Sequence, residues 1–326
     1  MNATFSRRRR SLLQAGLATC GIAAVAGMTG TRAGLPAVGQ YRFRGEIMGT
    51  EYNVSFVAPL NDAALRTAAR GVVESGLVSV DARMSTFKAT SELTCLNAHR
   101  PDAPCTLSED TFGVIRAAEQ VSAVCAGAFD ITAGPLVNAW GFGPAGQPRV
   151  PDAKELARLR RRVGYRLLEL DPSERTVTKL HPEMYVDLSS IAKGYGVDVA
   201  ARALDDLGVA HYVIEVGGEV RARGRNVHGA AWQVAVEEPR PAPRTARIVV
   251  PLDGLAMATS GDYRIYFDRG GHRYSHEIDP FGASPVSHSL TSVTVVAPDC
   301  AVADACATAL MVLGPDRGYA LAERMG

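Results

Sequence analysis

Tyr212-Val213-Ile214-Glu215-Val216-Gly217-Gly218-Glu219-Val220 alternates as a half-buried strand does and is broken by two glycines. Paired glycines inside a strand permit either a bulge or the close approach of another group, and this stretch alone does not choose between them. Its surroundings decide the class of the sheet. Ile191 to Leu207, just upstream, has helical spacing of apolar residues. Downstream, Trp232 to Glu237, Arg247 to Pro251, Tyr263 to Phe267 and Ser292 to Ala297 all read as strands, and a last helix follows from about Val302 to Leu313. Strands that succeed one another without crossover helices pair antiparallel. The expectation is α+β, not a doubly wound parallel sheet.

Toward the N-terminus, Met48 to Phe56 alternates like a strand and Asp62 to Val80 has helical spacing. A second helix is expected from Ser108 to Cys125 with Ser108 as N-cap, and an exposed, basic one from Asp152 to Arg162. Leu167 to Val177 reads as two short strands around Asp171-Pro172.

The chain has 326 residues, with 35 Lys and Arg against 34 Asp and Glu. Charge so balanced, with no basic stripe interleaved with aromatics, implies neither nucleic acid nor an anionic membrane surface as partner. Ser6-Arg7-Arg8-Arg9-Arg10-Ser11-Leu12-Leu13-Gln14 precedes an uncharged, Ala- and Gly-rich run from Ala15 to Thr31. That pattern is an export signal over residues 1–33, of twin-arginine type with Arg9-Arg10 as the pair, and it places the mature protein in the periplasm. A lasting membrane span needs about 20 strongly apolar residues, and this run is too weakly apolar for one. Cleavage after Ala26 or Ala33 is favoured over lipid attachment at Cys20, because Thr19 is atypical of a lipidation site. Beyond the signal, Cys95, Cys105, Cys125, Cys300 and Cys306 form no metal or thioredoxin-like pattern. Cys95 with Cys105, or Cys300 with Cys306, are either disulfides or small buried hydrophobes.

Four segments carry chemistry. Gly127-Ala128-Phe129-Asp130-Ile131-Thr132-Ala133-Gly134-Pro135 runs on to Trp140-Gly141-Phe142-Gly143. Its glycines let a backbone approach a ligand, Phe129 and Trp140 offer stacking faces to a flat heteroaromatic ring, and Asp130 can accept from that ring's donors. Equally, Asp130 or Thr132 caps a turn that leads into a helix with Pro135 in its first turn. Asp187-Leu188-Ser189-Ser190-Ile191-Ala192-Lys193 sets small polar residues before a helix with Lys193 in its first turn, a place for a pyrophosphate; the alternative is a capped helix with Lys193 in solvent. His276, among hydroxyls and two acids in Tyr274 to Pro280, is either a general base or phosphate contact, or a structural histidine. Asp304 and Thr308 lie four apart on one helix face, where both can give oxygens to one Mg²⁺. Alternatively Asp304 sits at the helix start as a cap and Thr308 bonds back to a carbonyl.

Met48-Gly49-Thr50, Met84-Ser85-Thr86-Phe87, Gly127 to Gly143, Asp187 to Asp198, Val216-Gly217-Gly218, Thr259 to Tyr263, His276 to Pro280 and Ala303 to Gly314 together, and in this order, resemble the ApbE family of FAD:protein FMN transferases. The resemblance covers nearly the whole mature chain, 34–326. It implies a two-lobed α+β fold with FAD between the lobes and Mg²⁺ at the pyrophosphate; Mn²⁺ suits the same oxygen ligands. The implied reaction moves the FMN half of FAD to a Thr or Ser hydroxyl of an exported acceptor protein and releases AMP. Hydrolysis of FAD to FMN and AMP, or FAD binding without catalysis, are the alternatives. By motif, Met48, Phe87, Ala128, Phe129, Asp130, Asp187, Lys193 and Ile278 resemble FAD contacts. Asp304 and Thr308 resemble the Mg²⁺ ligands, with a backbone oxygen near Ser190, and His276 resembles the base. Ser189-Ser190, Glu219 and Glu277 stand where the family more often has Gly or Ala, Asp, and an apolar residue.

Overall fold

The computed structural model describes residues 37–144, 146–240 and 245–325. The export signal, with Arg9-Arg10 and Cys20, lies outside the described residues.

The chain opens with β1 (Val38–Ile47) and β2 (Thr50–Pro59), a hairpin in which Ile47 faces Thr50. Met48 and Gly49 close it with φ of 51° and 71°. Two successive positive φ values match the twist of a two-residue hairpin loop, but Met48 adopts them without glycine's freedom, at roughly 1 kcal/mol. α1 (Ala63–Met84) starts at Asp62, whose carboxylate accepts the Leu65 N–H at 2.8 Å, and buries Ala69, Val73, Leu77, Val80 and Met84 at helical spacing. α2 (Glu92–Ala98), a helix the apolar spacing did not announce, is capped by Ser91. Next come β3 (Cys105–Thr106) and α3 (Glu109–Val124), the latter capped by Ser108 as expected. α4 (Gly134–Trp140) carries Pro135 in its first turn, and α5 (Ala153–Arg160) has Asp152 as N-cap. β4 (Leu168–Asp171) and β5 (Thr176–Lys179) pair around Asp171-Pro172, with β3 beyond β5.

α6 (Ala192–Asp206) leads into β6 (Tyr212–Val216) and β7 (Glu219–Arg223). The stretch read as one interrupted strand is therefore a hairpin, with Gly217 and Gly218 at φ of 60° and 108° as its turn. A side chain on Gly217 would meet Thr50 at 2.8 Å, so the close approach is to the neighbouring strand. β8 (Trp232–Glu237) pairs with β9 (Ala246–Leu252), and β10 (Leu255–Gly261) follows. β11 (Tyr266–Arg269) starts three residues later than the alternation from Tyr263 suggests, and pairs with β12 (His272–Ser275). β13 (Ile278–Asp279), β14 (Ser284–Pro285), β15 (Ser292–Ala297) and α7 (Cys300–Met325) complete the chain. α7 runs well past Leu313, through a kink at Gly314, φ 74°, before Pro315.

The main sheet has the order β1-β2-β6-β7-β10-β15, and every neighbouring pair is antiparallel. With the helices flanking it, this is the α+β class expected. One apolar cluster joins β2 and β6 to α1 and α6 through Phe56, Val73, Leu77, Val197 and Ile214. A second joins α2, α3, β4 and α7 through Leu93, Ile115, Phe129, Leu168 and Ala305. α6 contributes to both.

The α6–α7 contact sets the geometry of everything that follows. Asp198 of α6 accepts the N–H groups of Cys300 and Ala301 at 3.0 and 2.9 Å and pairs with Arg221 of β7 at 2.6 Å. The first amides of α7, which have no partner within the helix, are thus capped from its neighbour. Gly194 permits the approach: a Cβ there would stand 2.4 Å from the Cys300 carbonyl oxygen. Gly194→Ala is expected to cost about 1–3 kcal/mol by overpacking against rigid backbone, read as a lowered urea midpoint at unchanged slope.

Among the described residues the cysteines are free thiols. Cys300 and Cys306 lie six residues apart on one helix, about 9 Å of rise, beyond the reach of a disulfide.

Candidate active site

The turn before α6 folds through its own polar residues. Asp187 accepts the Ser189 N–H at 2.9 Å, an Asx turn, while Leu188 and Ile191 are buried and anchor it. The Asp187 N–H donates to the Ile131 carbonyl at 2.7 Å, which joins this turn to the Gly127–Gly134 loop. In that loop Asp130 accepts from the Thr132 N–H and hydroxyl at 2.8 and 2.6 Å, and from the Tyr165 N–H at 2.8 Å. Asp130 therefore caps the turn Ile131–Ala133, and burial pushes its carboxyl up while these hydrogen bonds oppose the rise. The stacking faces expected of Phe129 and Trp140 are taken up by protein. Phe129 is 1% exposed, and Trp140 stacks on Tyr274 at 5.3 Å with its N–H on the Ala283 carbonyl. Ala128 is buried beside Phe129, and the Ile278 side chain joins the cluster around Trp140.

Lys193, in the first turn of α6, forms an ion pair with Glu219, the first residue of β7 after the glycine turn. The Gly194 N–H donates to Asp304 of α7 at 3.1 Å. Asp304 is thus not the cap of its helix, a task Asp198 performs. One turn further, the Thr308 hydroxyl lies 3.2 Å from the Ser260 hydroxyl of β10. Ser190 sits in the turn just before α6.

This cluster holds more negative charge than its partners neutralise. Glu219, Glu277 and Asp304 are 2%, 6% and 4% exposed. Lys193 is the cation among them: burial works against its ammonium, but Glu219 and Asp304 more than offset that and hold it charged. Burial and the Asp304 charge push Glu277 up to about 8, and burial raises Asp304 as well. Glu219 also rises through burial, and its Oε2 has no hydrogen-bond partner. Three carboxylates against one ammonium leave an excess of two negative charges when all are ionised, the charge of one divalent cation. Among the described residues no three His, Cys, Asp or Glu side chains converge with ligating geometry. A cation here would draw on carboxylate, hydroxyl and carbonyl oxygens together, the mixture a hard ion such as Mg²⁺ takes.

His276 faces the same cluster. Its Nδ1 lies 3.3 Å from the Ile265 carbonyl, which favours the proton on Nδ1 and leaves Nε2 as the acceptor, 3.7 Å from Glu277 Oε1. Burial and the Lys193 charge lower its pKa to about 4, so the ring is neutral at neutral pH with Nε2 unprotonated.

Met48 reaches the site from the β1–β2 turn: its methyl lies 3.1 Å from where a Cβ on Gly196 of α6 would stand. Phe87 is 69% exposed. The fold therefore brings together Lys193, His276, Asp304 and Thr308, with Met48 close to α6, and ties the Asp130 and Asp187 turns to each other through the backbone. Glu219, Glu277 and Ser260 complete the polar cluster and were not singled out as site residues in the sequence. The signal for Glu219 was an acid directly after a glycine pair, and for Glu277 an acid beside His276.

The ApbE family profile matches residues 48–326. The chain belongs to the ApbE family. A FAD:protein FMN transferase of Haemophilus influenzae is 41% identical over 285 residues, 86% of this chain and 82% of that protein. One from Escherichia coli is 36% identical over 285 residues, 86% of this chain and 81% of its own length. Among solved structures, the flavin transferase ApbE from Vibrio cholerae superposes with a TM-score of 0.80 at 39% identity, covering 88% of this chain and 91% of that one. The Pseudomonas stutzeri flavinyl transferase ApbE, in its apo form, gives 0.80 at 38% identity over 89% of each. This ApbE-family chain shares its fold with those structures over nearly all its described length.

Proposed function

We propose that this chain transfers the FMN half of FAD to a Thr or Ser hydroxyl of an exported acceptor protein, releases AMP, and uses Mg²⁺. The observation that carries the reading is a half-buried ammonium, Lys193, set among three buried carboxylates beside a neutral histidine. Such a cluster is built to hold a polyanion together with a divalent cation. Asp304, Thr308 and a backbone oxygen near Ser190 would hold the cation, whose chemistry is to neutralise charge on a pyrophosphate. FAD would lie where the Gly127–Asp130 loop, the Asp187 turn and the start of α6 meet.

Lys193 pairs with a phosphate oxygen and keeps the pyrophosphate in place. His276 takes the proton of the acceptor hydroxyl at Nε2 as that oxygen bonds to the FMN phosphorus. The bond from this phosphorus to the bridging oxygen breaks, and AMP leaves with the electron pair. Glu219 holds the Lys193 ammonium in position, and the Ile265 carbonyl holds the imidazole. Export through the twin-arginine segment would put the reaction in the periplasm, with signal cleavage favoured over lipidation at Cys20. No described helix is long and apolar enough to cross a membrane.

The test is to mix the mature protein with FAD, Mg²⁺ and an acceptor domain, and to weigh the acceptor. Addition of one FMN mass with an equal amount of AMP is expected. Free FMN with AMP would identify a hydrolase instead, and unchanged FAD would defeat the catalytic reading.

A further inference from the structure

β1 is the end strand of the main sheet, and among the described residues it pairs with β2 alone. Its outer N–H and C=O groups are a template for a further strand. Against that edge, between β1 and α1, runs a groove of about 450 Å³ lined by Tyr41, Arg42, Phe43, Arg66 and Arg70. The Arg66 guanidinium lies over the Tyr41 ring at 4.6 Å and that of Arg70 over Phe43 at 6.0 Å. Arg70 is matched by Glu74 at 2.8 Å. Arg42 and Arg66 have no carboxylate partner among the described residues. Tyr41 and Phe43 wall the groove on the α1 side, where Arg66 is an uncompensated cation, and Arg42 adds a second on the opposite face of the same free edge.

We infer that the β1 edge and the α1 groove dock an extended, acidic segment of the acceptor protein. The inference rests on the transferase reading for the identity of the partner. Strand addition requires a peptide backbone, which excludes a lipid surface or a nucleic acid as the group satisfying the edge. Charge excludes the nearest competitor within the chain: residues 1–36 carry five arginines and no acid. Direction supports the acceptor. β1 ends at Ile47, one residue from Met48, and Met48 packs on α6, the helix that carries Lys193. A segment laid along β1 is led toward the reacting phosphate.

The experiment uses the mature protein, its Arg42→Glu/Arg66→Glu variant and an Arg66→Glu single variant. A fluorescent peptide of alternating Glu and Val, as long as the 10 residues of β1, serves as probe, with a Lys-Val peptide as its opposite. The Glu-Val peptide is expected to bind the parent protein, to lose about tenfold or more in affinity to the double variant, and less to the single variant; the Lys-Val peptide should reverse the order. In FMN transfer, KM for the acceptor should rise by a similar factor while kcat and FAD affinity hold. Equal binding of both peptides to parent and variant, or an unchanged acceptor KM, overturns the inference. So does self-association of the parent protein that the substitutions abolish, or binding of anionic vesicles in place of peptide. If the parent protein transfers no FMN at all, the transferase reading fails by itself, and the peptide arm still decides whether the edge takes an acidic strand.

Discussion

Asp304→Ala is expected to lower FMN transfer to an acceptor by at least about 100-fold, the scale on which loss of a single preorganised electrostatic group acts. Asp304 accepts from the Gly194 N–H at 3.1 Å and lies within electrostatic reach of Lys193, Glu219 and Glu277. Removing it takes away a proposed cation ligand and leaves Lys193 with Glu219 as its ion-pair partner. The same change relieves repulsion, because Asp304 raises the carboxyls of both glutamates. One lost hydrogen bond, about 1 kcal/mol, is thereby offset, and stability without metal should stay within about 1 kcal/mol of the parent protein. Activity and stability then part company, as they do where a site is held against local electrostatics. Mass spectrometry of the acceptor and a urea melt in EDTA check the two halves. Full transfer by the variant would sink the metal assignment, and a global loss of stability would show Asp304 to be structural.

The second large effect is on folding. Asp198→Ala is expected to destabilise the protein by about 3–5 kcal/mol, the range for breaking a buried ion pair from one side. The carboxylate is 4% exposed and serves three partners at once: Arg221 and the Cys300 and Ala301 N–H groups. Its removal leaves a half-buried guanidinium without that partner and uncaps α7. Asp198→Asn should fall between, since an amide oxygen still accepts but the charge is gone. Because α7 carries Asp304 and Thr308, flavin transfer should fall in step with the folded fraction, with KM for FAD raised in what remains. An urea midpoint within experimental scatter of the parent would disprove the role given to Asp198.

Much of this architecture follows from local pattern. The alternation of Trp232 to Glu237 and Ser292 to Ala297, the cap Ser108, and Pro135 in the first turn of α4 are short-range features, and each appears as read. The misread places have equally local causes. Gly217-Gly218 fits a bulge or a hairpin with the same residues, and only the partner strand, with Val216 opposite Glu219, distinguishes them. α2 has too few turns for a periodic signal, and Gly314 with Pro315 resembles an ending although the helical path resumes beyond it.

By itself the sequence determined the α+β class, most of the helices and longer strands and the family motifs, because side-chain periodicity and turn chemistry act over a few residues. It also identified Lys193, His276, Asp304 and Thr308 as candidates by their residue types and settings. Only the tertiary structure decided how these act together. The Lys193 pair with Glu219, the Asp304 contact with Gly194 and the capping of α7 by Asp198 join residues 26, 110 and more than 100 positions apart. It likewise turned Phe129 and Trp140 from stacking surfaces into core, and made Asp130 a cap. Burial and charge balance are properties of the packed chain, in which a carboxylate's partners come from distant elements, and no local pattern encodes them.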